Sequence, residues 1–279
     1  MSSVPALVCL FDQTPIMALS VCFGVAVLCF HICAIRCSAR VMLISKSVAS
    51  LFFVLIGAFA LHALVTTSDA MASDGILHQT GMYLFIFVGL VFGCIGDILL
   101  GFRNIFLQNK LKFTAAGILA FAMGHIFYMM VALAYLGASI AGKSLPVQVS
   151  FVLLPFLFSL LFVIGNIKLS KRLNMSYGKL KIAVWIYCFI IAFLLASTWT
   201  GSILSFGDTG AWIWLLPIFP VTLFTVSDFV LSTHYFDRDQ KNITPKQVII
   251  IHVTYYLAQF MFACAWSCPA ITCVGGSLF

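Results

Sequence analysis

The chain has 279 residues, of which 63% are hydrophobic and 8% are charged, and its formal net charge is +7 at pH 7. Soluble domains carry about a quarter charged residues, so this composition excludes a soluble protein and indicates a polytopic membrane protein. The basic residues are scattered among short connections and form no arginine-rich patch with interleaved aromatics, which argues against nucleic acid as a partner.

Apolar runs of the length that crosses a bilayer as a helix follow one another along the chain. The runs are continuously apolar instead of alternating, so they predict helices and exclude the strands of a barrel. We therefore predict an all-α fold with eight transmembrane helices, a single integral membrane domain over residues 1–279, and no cleavable signal peptide. The predicted helices lie near residues 16–35, 47–66, 82–102, 113–137, 149–166, 182–204, 211–233 and 248–268.

The basic residues indicate the orientation of these helices. All lysines and arginines except Lys143 fall in the connections between helices 1 and 2, 3 and 4, 5 and 6, and 7 and 8. By the positive-inside rule these connections are cytoplasmic, and both termini are extracytoplasmic or lumenal. Glycosylation sequons begin at Asn174 and Asn242, inside predicted cytoplasmic connections, so we expect neither to carry a glycan.

Most of the ten cysteines lie within the apolar runs, where cysteine packs as a small hydrophobic residue. The predicted topology places Cys9, Cys268 and Cys273 on one side of the membrane. A disulfide among these three is left open.

Two carboxylates, Asp97 and Asp228, lie inside apolar runs. A charge at membrane depth is costly unless it is partnered or faces water, so both are candidate functional residues. Each lies about five residues from the predicted inner end of its helix, or roughly 8 Å at a rise of 1.5 Å per residue. The two aspartates therefore share one level and would form a pair if helices 3 and 7 touch, which the sequence leaves open.

Further polar side chains lie in the inner half of the predicted bundle. Gly124 permits close approach of a neighbouring helix, and His125 and Tyr128 share one face of helix 4. Helix 8 carries Tyr255 and Gln259 on one face in the same way. For these residues helix packing is the structural alternative, and for Lys46 it is anchoring at the inner interface.

These residues together resemble the YhhN-type lysoplasmalogenases, a family of eight-helix membrane proteins. The family tends to have Lys-Pro where this chain has Lys46-Ser47. The resemblance implies hydrolysis of the vinyl ether bond of lysoplasmalogens to a fatty aldehyde and glycerophosphoethanolamine or glycerophosphocholine. It extends over about residues 46–260 and is carried by Lys46, Gly96-Asp97-Ile-Leu-Leu100, Gly124-His125 with Tyr128, Tyr187, Ser227-Asp228, and Tyr255-Tyr256 with Gln259.

That reaction suits a pair of carboxylates. Protonation of the alkenyl carbon generates an oxocarbenium ion, which water then captures, so the site needs a proton donor and a nearby anion, as in glycosidases. Like-charge repulsion and desolvation keep one member of a carboxylate pair protonated while the other stays ionised. We expect Asp97 and Asp228 to be catalytic, with His125 positioning or deprotonating water. The expected substrate-binding residues are Lys46, Tyr128, Tyr187, Ser227, Tyr255 and Gln259.

The scheme requires no metal and no cofactor, and which aspartate donates the proton is left open. The expected partners are the lysophospholipid substrate and the lipid bilayer, and a homodimer is also left open. From the family, we expect the endoplasmic reticulum membrane, with the site toward the cytoplasm.

Other functions remain as alternatives. A zinc-dependent hydrolase would use His125, His234 and His252 with Asp97 or Asp228, although no closely spaced histidine pair supports it. A small-solute or proton-coupled transporter would use the intramembrane aspartates equally well. A receptor has little support because the loops and tails are short.

Overall fold

The computed structural model describes residues 14–71, 74–239 and 244–264. In these ranges the chain forms eight α-helices, and its strand pairing is confined to an isolated β-bridge. The all-α prediction is therefore confirmed. The helices are α1 Thr14–Arg36, α2 Ala39–Met71, α3 Asp74–Ile105, α4 Lys110–Ile140, α5 Leu145–Arg172, α6 Lys181–Thr209, α7 Ile218–Tyr235 and α8 Pro245–Ala263.

Seven of the eight described helices, α1 to α7, are long and apolar enough to cross a membrane. The protein is thus an integral multi-pass membrane protein. Helix α8 is not among the seven, because polar residues such as His252 and Gln259 interrupt its apolar sequence. That α8 crosses the membrane, as the sequence analysis expects, stays a prediction.

Helices α1 to α6 are longer than the apolar runs that predicted them. Helix α2 begins at Ala39, so Lys46 lies seven residues inside it and not at its start. Helix α3 likewise continues to Ile105, which makes Asp97 more distant from the helix end than predicted and puts Arg103 in the last turn. Apolar sequence marks the part of a helix that lies in hydrocarbon, whereas the helix itself continues into the polar interface.

The seventh predicted run starts too early. Residues Trp212–Leu215 form a 3₁₀ helix, and α7 begins only at Ile218, directly after Pro217. Proline fixes its own φ near the helical value and lacks an N–H, so it fits at the edge of a helix better than in its interior. The apolar run therefore contains two elements instead of one.

Helix contacts arrange the bundle around a centre. In the described residues, α3 packs extensively on α2 and α4, α4 packs on α6, α6 on α7, and α7 on α8. Helix α8 closes the arrangement by contacting α1, α2 and α3, while α5 packs on the outside of α6. Helices α3 and α7 make no extensive direct contact. Asp97 on α3 and Asp228 on α7 therefore face each other only across the space between these two helices.

Two connections lie together at one end of the bundle. An antiparallel bridge joins Met175, after α5, to Asp237, after α7. Backbone hydrogen bonds from Ser176 to Phe236, 2.7 Å, and from Arg238 to Asn174, 3.1 Å, extend it. These two connections were both predicted to be cytoplasmic. They do share one end, although the side of the membrane on which that end lies stays a prediction. Cys9, Cys268, Cys273 and Asn242 lie outside the described residues.

Candidate functional site

Asp97 is buried, with 2% of its surface exposed, and it is partnered. The Lys46 ammonium lies 2.8 Å from Oδ1 of Asp97. Oδ2 accepts hydrogen bonds from the hydroxyls of Ser50, 2.5 Å, and Tyr255, 2.7 Å. A buried carboxylate persists when a cation and hydrogen bonds replace its water, and this arrangement supplies both. Lys46 is thus an ion-pair partner of Asp97, in contrast to the membrane anchor considered as its structural alternative.

A hydrogen-bonded relay from Tyr128 through Gln259 positions the Tyr255 hydroxyl. The Tyr128 hydroxyl donates to Oε1 of Gln259, 2.8 Å, and Nε2 of Gln259 donates to the Tyr255 oxygen, 3.2 Å. Gly93, one helical turn before Asp97, makes room for this relay, because a Cβ there would lie 2.5 Å from Nε2 of Gln259. Tyr128 and Gln259 are themselves buried and hold Tyr255 toward Asp97.

Close helix approach supports this geometry. A Cβ at Gly124 of α4 would lie 3.1 Å from the carbonyl oxygen of Gly89 in α3. That contact distance is tighter than side chains ordinarily allow, so the glycine lets the two backbones approach. The predicted role of Gly124 is confirmed.

Asp228 has a different environment. Its Oδ2 accepts a hydrogen bond from the Tyr187 hydroxyl, and no ion pair joins Asp228 to a cation within the described ranges. Nδ1 of His125 lies 2.7 Å from the carbonyl oxygen of Phe121, so Nδ1 donates a hydrogen bond to that oxygen. The structure gives Nε2 of His125 no hydrogen-bond partner among described atoms.

A cavity of about 270 Å³ brings the two carboxylates to one space. Lys46, Asp97, Ser227, Asp228 and Tyr255 all line it, and it extends toward the end of the bundle where α3 and α7 finish. No direct hydrogen bond joins Asp97 to Asp228 in the part of the chain that the structure describes. The carboxylates therefore face a shared cavity from opposite helices and do not form a directly bonded dyad.

A second, apolar cavity of about 80 Å³ adjoins the first between α4, α5, α6 and α7. Asp228 and Tyr235 line both cavities, and Tyr187 lines the apolar one. Asp228 consequently lies where a polar space meets an apolar one. Such a boundary suits an amphiphilic ligand that has a polar part and a hydrocarbon part.

Some of the predicted site residues line the two cavities, and others lie behind the residues that do. His125 is 1% exposed, lines neither cavity, and packs edge-to-face on Phe224 with ring centroids 4.5 Å apart. Tyr128 and Gln259 also lie behind the wall of the larger cavity. Ser227 reaches that cavity, where its hydroxyl donates to the carbonyl oxygen of Ile251, 2.9 Å.

Sequence reasoning missed Ser50 as a member of the site. Ser50 is fully buried and donates directly to Asp97. Its signal was available, because Ser50 follows Lys46 by four residues and so lies on the same face of α2. Asn104 and Tyr235, which also line the larger cavity, were missed because they fall at the predicted ends of helices.

The zinc alternative depends on histidines and carboxylates that converge. His234 and His252 line the larger cavity with both aspartates, whereas His125 does not. Within residues 14–71, 74–239 and 244–264, no group of three or more His, Cys, Asp or Glu could hold a metal ion. The arrangement thus gives the zinc alternative no support.

Comparison with known proteins identifies one family. The family model described as the YhhN family matches residues 64–266, more than half of the chain. The matched segment contains Asp97, Asp228 and Tyr255, while Lys46 and Ser50 precede it. No curated protein and no solved structure matches the chain. On the strength of this match, which covers most of the helical bundle and both intramembrane aspartates, the chain belongs to the YhhN family.

Proposed function

We propose that this protein is a membrane hydrolase that cleaves the vinyl ether bond of lysoplasmalogens, releasing a fatty aldehyde and the glycerophospho-base. The observation that carries the proposal is the pair of carboxylates, Asp97 and Asp228, which face one cavity inside a YhhN-family membrane protein but have different partners. Acid-catalysed hydrolysis needs two carboxyl groups with different roles.

The contacts support an assignment of those roles. A cation and two hydroxyl donors surround Asp97, an arrangement that favours the carboxylate, so Asp97 stabilises the positive charge that develops on the substrate. Asp228 lacks a cationic partner among the described residues and is the proton donor. Tyr187 holds the Asp228 carboxyl by one oxygen, which leaves the other oxygen available to carry the acidic proton.

The reaction then balances in three steps. Asp228 transfers its proton to the alkenyl carbon distal to the ether oxygen, and the electron pair of the double bond forms the new C–H bond. Water adds to the resulting oxocarbenium carbon and returns a proton to the Asp228 carboxylate, giving a hemiacetal. In the last step Asp228 gives its proton to the departing glycerol oxygen as the carbon–oxygen bond breaks, and the hemiacetal hydroxyl returns a proton to Asp228, which yields the aldehyde and the glycerophospho alcohol.

The two adjoining cavities support a lipid substrate. The apolar cavity lined by Phe162, Val184 and Ile191 suits the part of the alkenyl chain next to the vinyl ether, and the larger polar cavity suits the glycerophospho part. Asp228 lies at their junction, where the vinyl ether of a lysolipid separates the chain from the headgroup. His125 acts here as a positioning residue behind Tyr187, to which its ring packs with centroids 5.4 Å apart.

Incubation of the purified protein with two lysolipids tests the proposal. We expect aldehyde from an alkenyl lysolipid and no product from a saturated ester-linked lysolipid with the same headgroup. Chelator should leave turnover unchanged. Solute flux in proteoliposomes without lipid breakdown would instead favour the transporter. The endoplasmic reticulum, the cytoplasmic direction of the site and a homodimer stay predictions.

A further inference from the structure

Arg103, in the last turn of α3, is a buried cation that lacks a carboxylate partner. It is 7% exposed, and no ion pair joins it to an acidic residue within the described ranges. A buried charge without a counter-ion costs several kcal/mol in general, so such a group persists when an anion complements it. The sequence analysis placed Arg103 in a polar connection, where its charge would not be buried.

Neutral groups hold the guanidinium in place. Nε donates to the Thr114 hydroxyl, 3.0 Å, and Nη1 donates to Oδ1 of Asn104, 3.2 Å. The guanidinium carbon lies 3.9 Å from the centroid of the Tyr235 ring. These contacts orient the arginine without neutralising it, and among the described atoms Nη2 has no hydrogen-bond partner.

Arg103 does not itself line the larger cavity, but Asn104 and Tyr235, which it contacts, do. His234 lies within electrostatic reach of Arg103, Lys110 and Asp237. Asn104 and His234 line the larger cavity and not the apolar one, whereas Tyr235 lines both. Lys46, the cation expected near a headgroup from the sequence, is already paired with Asp97. Lys110 is exposed to solvent, so the buried cation available for an anionic ligand at this end is Arg103.

We propose that Arg103, with Asn104 and His234, forms a binding site for the phosphodiester anion of a glycerophospholipid headgroup at the end of the larger cavity. Arginine presents a planar fork of donors that matches phosphate oxygens. The proposal rests on the proposed function, because it takes the headgroup to belong to the lipid whose vinyl ether lies near Asp97 and Asp228.

Distances along α3 agree with such a ligand. Arg103 follows Asp97 by six residues, which is about 9 Å at the rise of an α-helix. In a lysoplasmalogen six bonds separate the oxocarbenium carbon from phosphorus, or roughly 7 to 8 Å when extended at about 1.25 Å per bond. The axial separation of Asp97 and Arg103 is thus similar to the distance between the reacting carbon and the phosphate of the ligand.

Kinetics with two vinyl ethers test the site. One substrate is an alkenyl glycerophosphoethanolamine, and the other is the matching alkenylglycerol, which lacks the phosphate. For Arg103→Gln we expect KM of the phosphate-containing substrate to rise at least ~10-fold with kcat within about threefold, because a charge-assisted bond is lost. KM of alkenylglycerol should stay unchanged. Arg103→Lys should be intermediate, since it keeps the charge and loses the fork.

Controls separate recognition of phosphate from a structural role. Arg172→Gln removes an exposed arginine at the end of α5 and should leave both KM values unchanged. Asn104→Asp keeps Arg103 in place and supplies a competing carboxylate, so it should also raise KM for the phosphate-containing substrate alone. If the Arg103 variants changed KM for both substrates equally, or for neither, the phosphate site would be refuted.

A binding assay separates this inference from the proposed function. Calorimetry in detergent should show glycerophosphoethanolamine binding to the unmodified protein, and at least ~10-fold weaker binding to Asn104→Asp and Arg103→Gln. If neither vinyl ether were hydrolysed but this binding pattern held, the hydrolase would fail and the phosphate site would stand. Binding of inorganic phosphate without binding of glycerophosphoethanolamine would overturn the headgroup assignment.

Discussion

The two aspartates illustrate how much a side chain's partners decide its chemistry. Asp97 and Asp228 are the same residue type at similar depth, yet Lys46 pairs with Asp97 and Tyr187 with Asp228. Sequence reasoning identified both carboxylates because a charge inside an apolar run is conspicuous. It could not assign their roles, since Lys46 was placed at the membrane surface and Ser50 was not considered.

Replacing either carboxylate should abolish most turnover. We expect Asp97→Asn and Asp228→Asn each to lower kcat at least ~10²-fold, since general acid catalysis contributes that much or more. Aldehyde release from the alkenyl lysolipid measures the effect. Asp208→Asn is the matched control, because Asp208 is exposed and pairs with Lys143 away from the cavities. A folded Asp228→Asn protein with near-normal turnover would refute the proposed acid.

The ion pair between Lys46 and Asp97 should also stabilise the fold. Lys46→Met leaves a buried carboxylate without its cation, which generally costs about 3–5 kcal/mol of unfolding free energy. The double variant Lys46→Met with Asp97→Asn buries no charge, so its Tm in detergent should recover at least half of the loss. Both proteins should be inactive. A double variant no more stable than Lys46→Met would contradict this account of the pair.

At the scale of helices, glycines in α3 allow the neighbouring helices to place the site. Gly89 and Gly93 lie on the face of α3 that meets Tyr128 and Gln259. The side chains from α4 and α8 occupy the space that a Cβ at either glycine would fill. Sequence reasoning recognised this role for Gly124 in α4, but it did not extend it to α3, because which face meets which helix depends on packing.

Adding one methyl group at this face should disturb the relay. Gly93→Ala is expected to displace Gln259 and Tyr255 from Asp97, lower the unfolding free energy by about 1–3 kcal/mol through overpacking, and reduce kcat. Gly81→Ala in the same helix meets nothing within 4 Å and should be neutral or slightly stabilising. Thermal unfolding and turnover of the two variants should therefore diverge. Equal thermal stability and equal turnover of the two variants would contradict the proposed role of Gly93.

At the scale of the whole molecule, the orientation in the membrane is a separate prediction. Asn174 lies in the connection between α5 and α6, where its side chain donates to Asp239, 3.1 Å. If that end is cytoplasmic, Asn174 and Asn242 receive no glycan. The connection at residues 141–144 lies at the opposite end of the bundle. A sequon placed in a lengthened version of this connection should be glycosylated in microsomes. Glycan on Asn174 together with an unmodified added sequon would reverse the orientation.

The sequence by itself determined the helical, membrane-embedded class and most of the helices, because long apolar runs have few other stable solutions in lipid. It also singled out Asp97, Asp228 and Tyr255, since polar groups are rare and costly at that depth. The tertiary structure decided how these residues combine. Helices α3 and α7 lack extensive contact, so the cavity that Asp97 and Asp228 share depends on α8, which packs on both of them, and the pairing of Asp97 with Lys46 depends on the packing of α2 on α3. Such contacts join residues far apart in the chain, and local hydropathy carries no information about them.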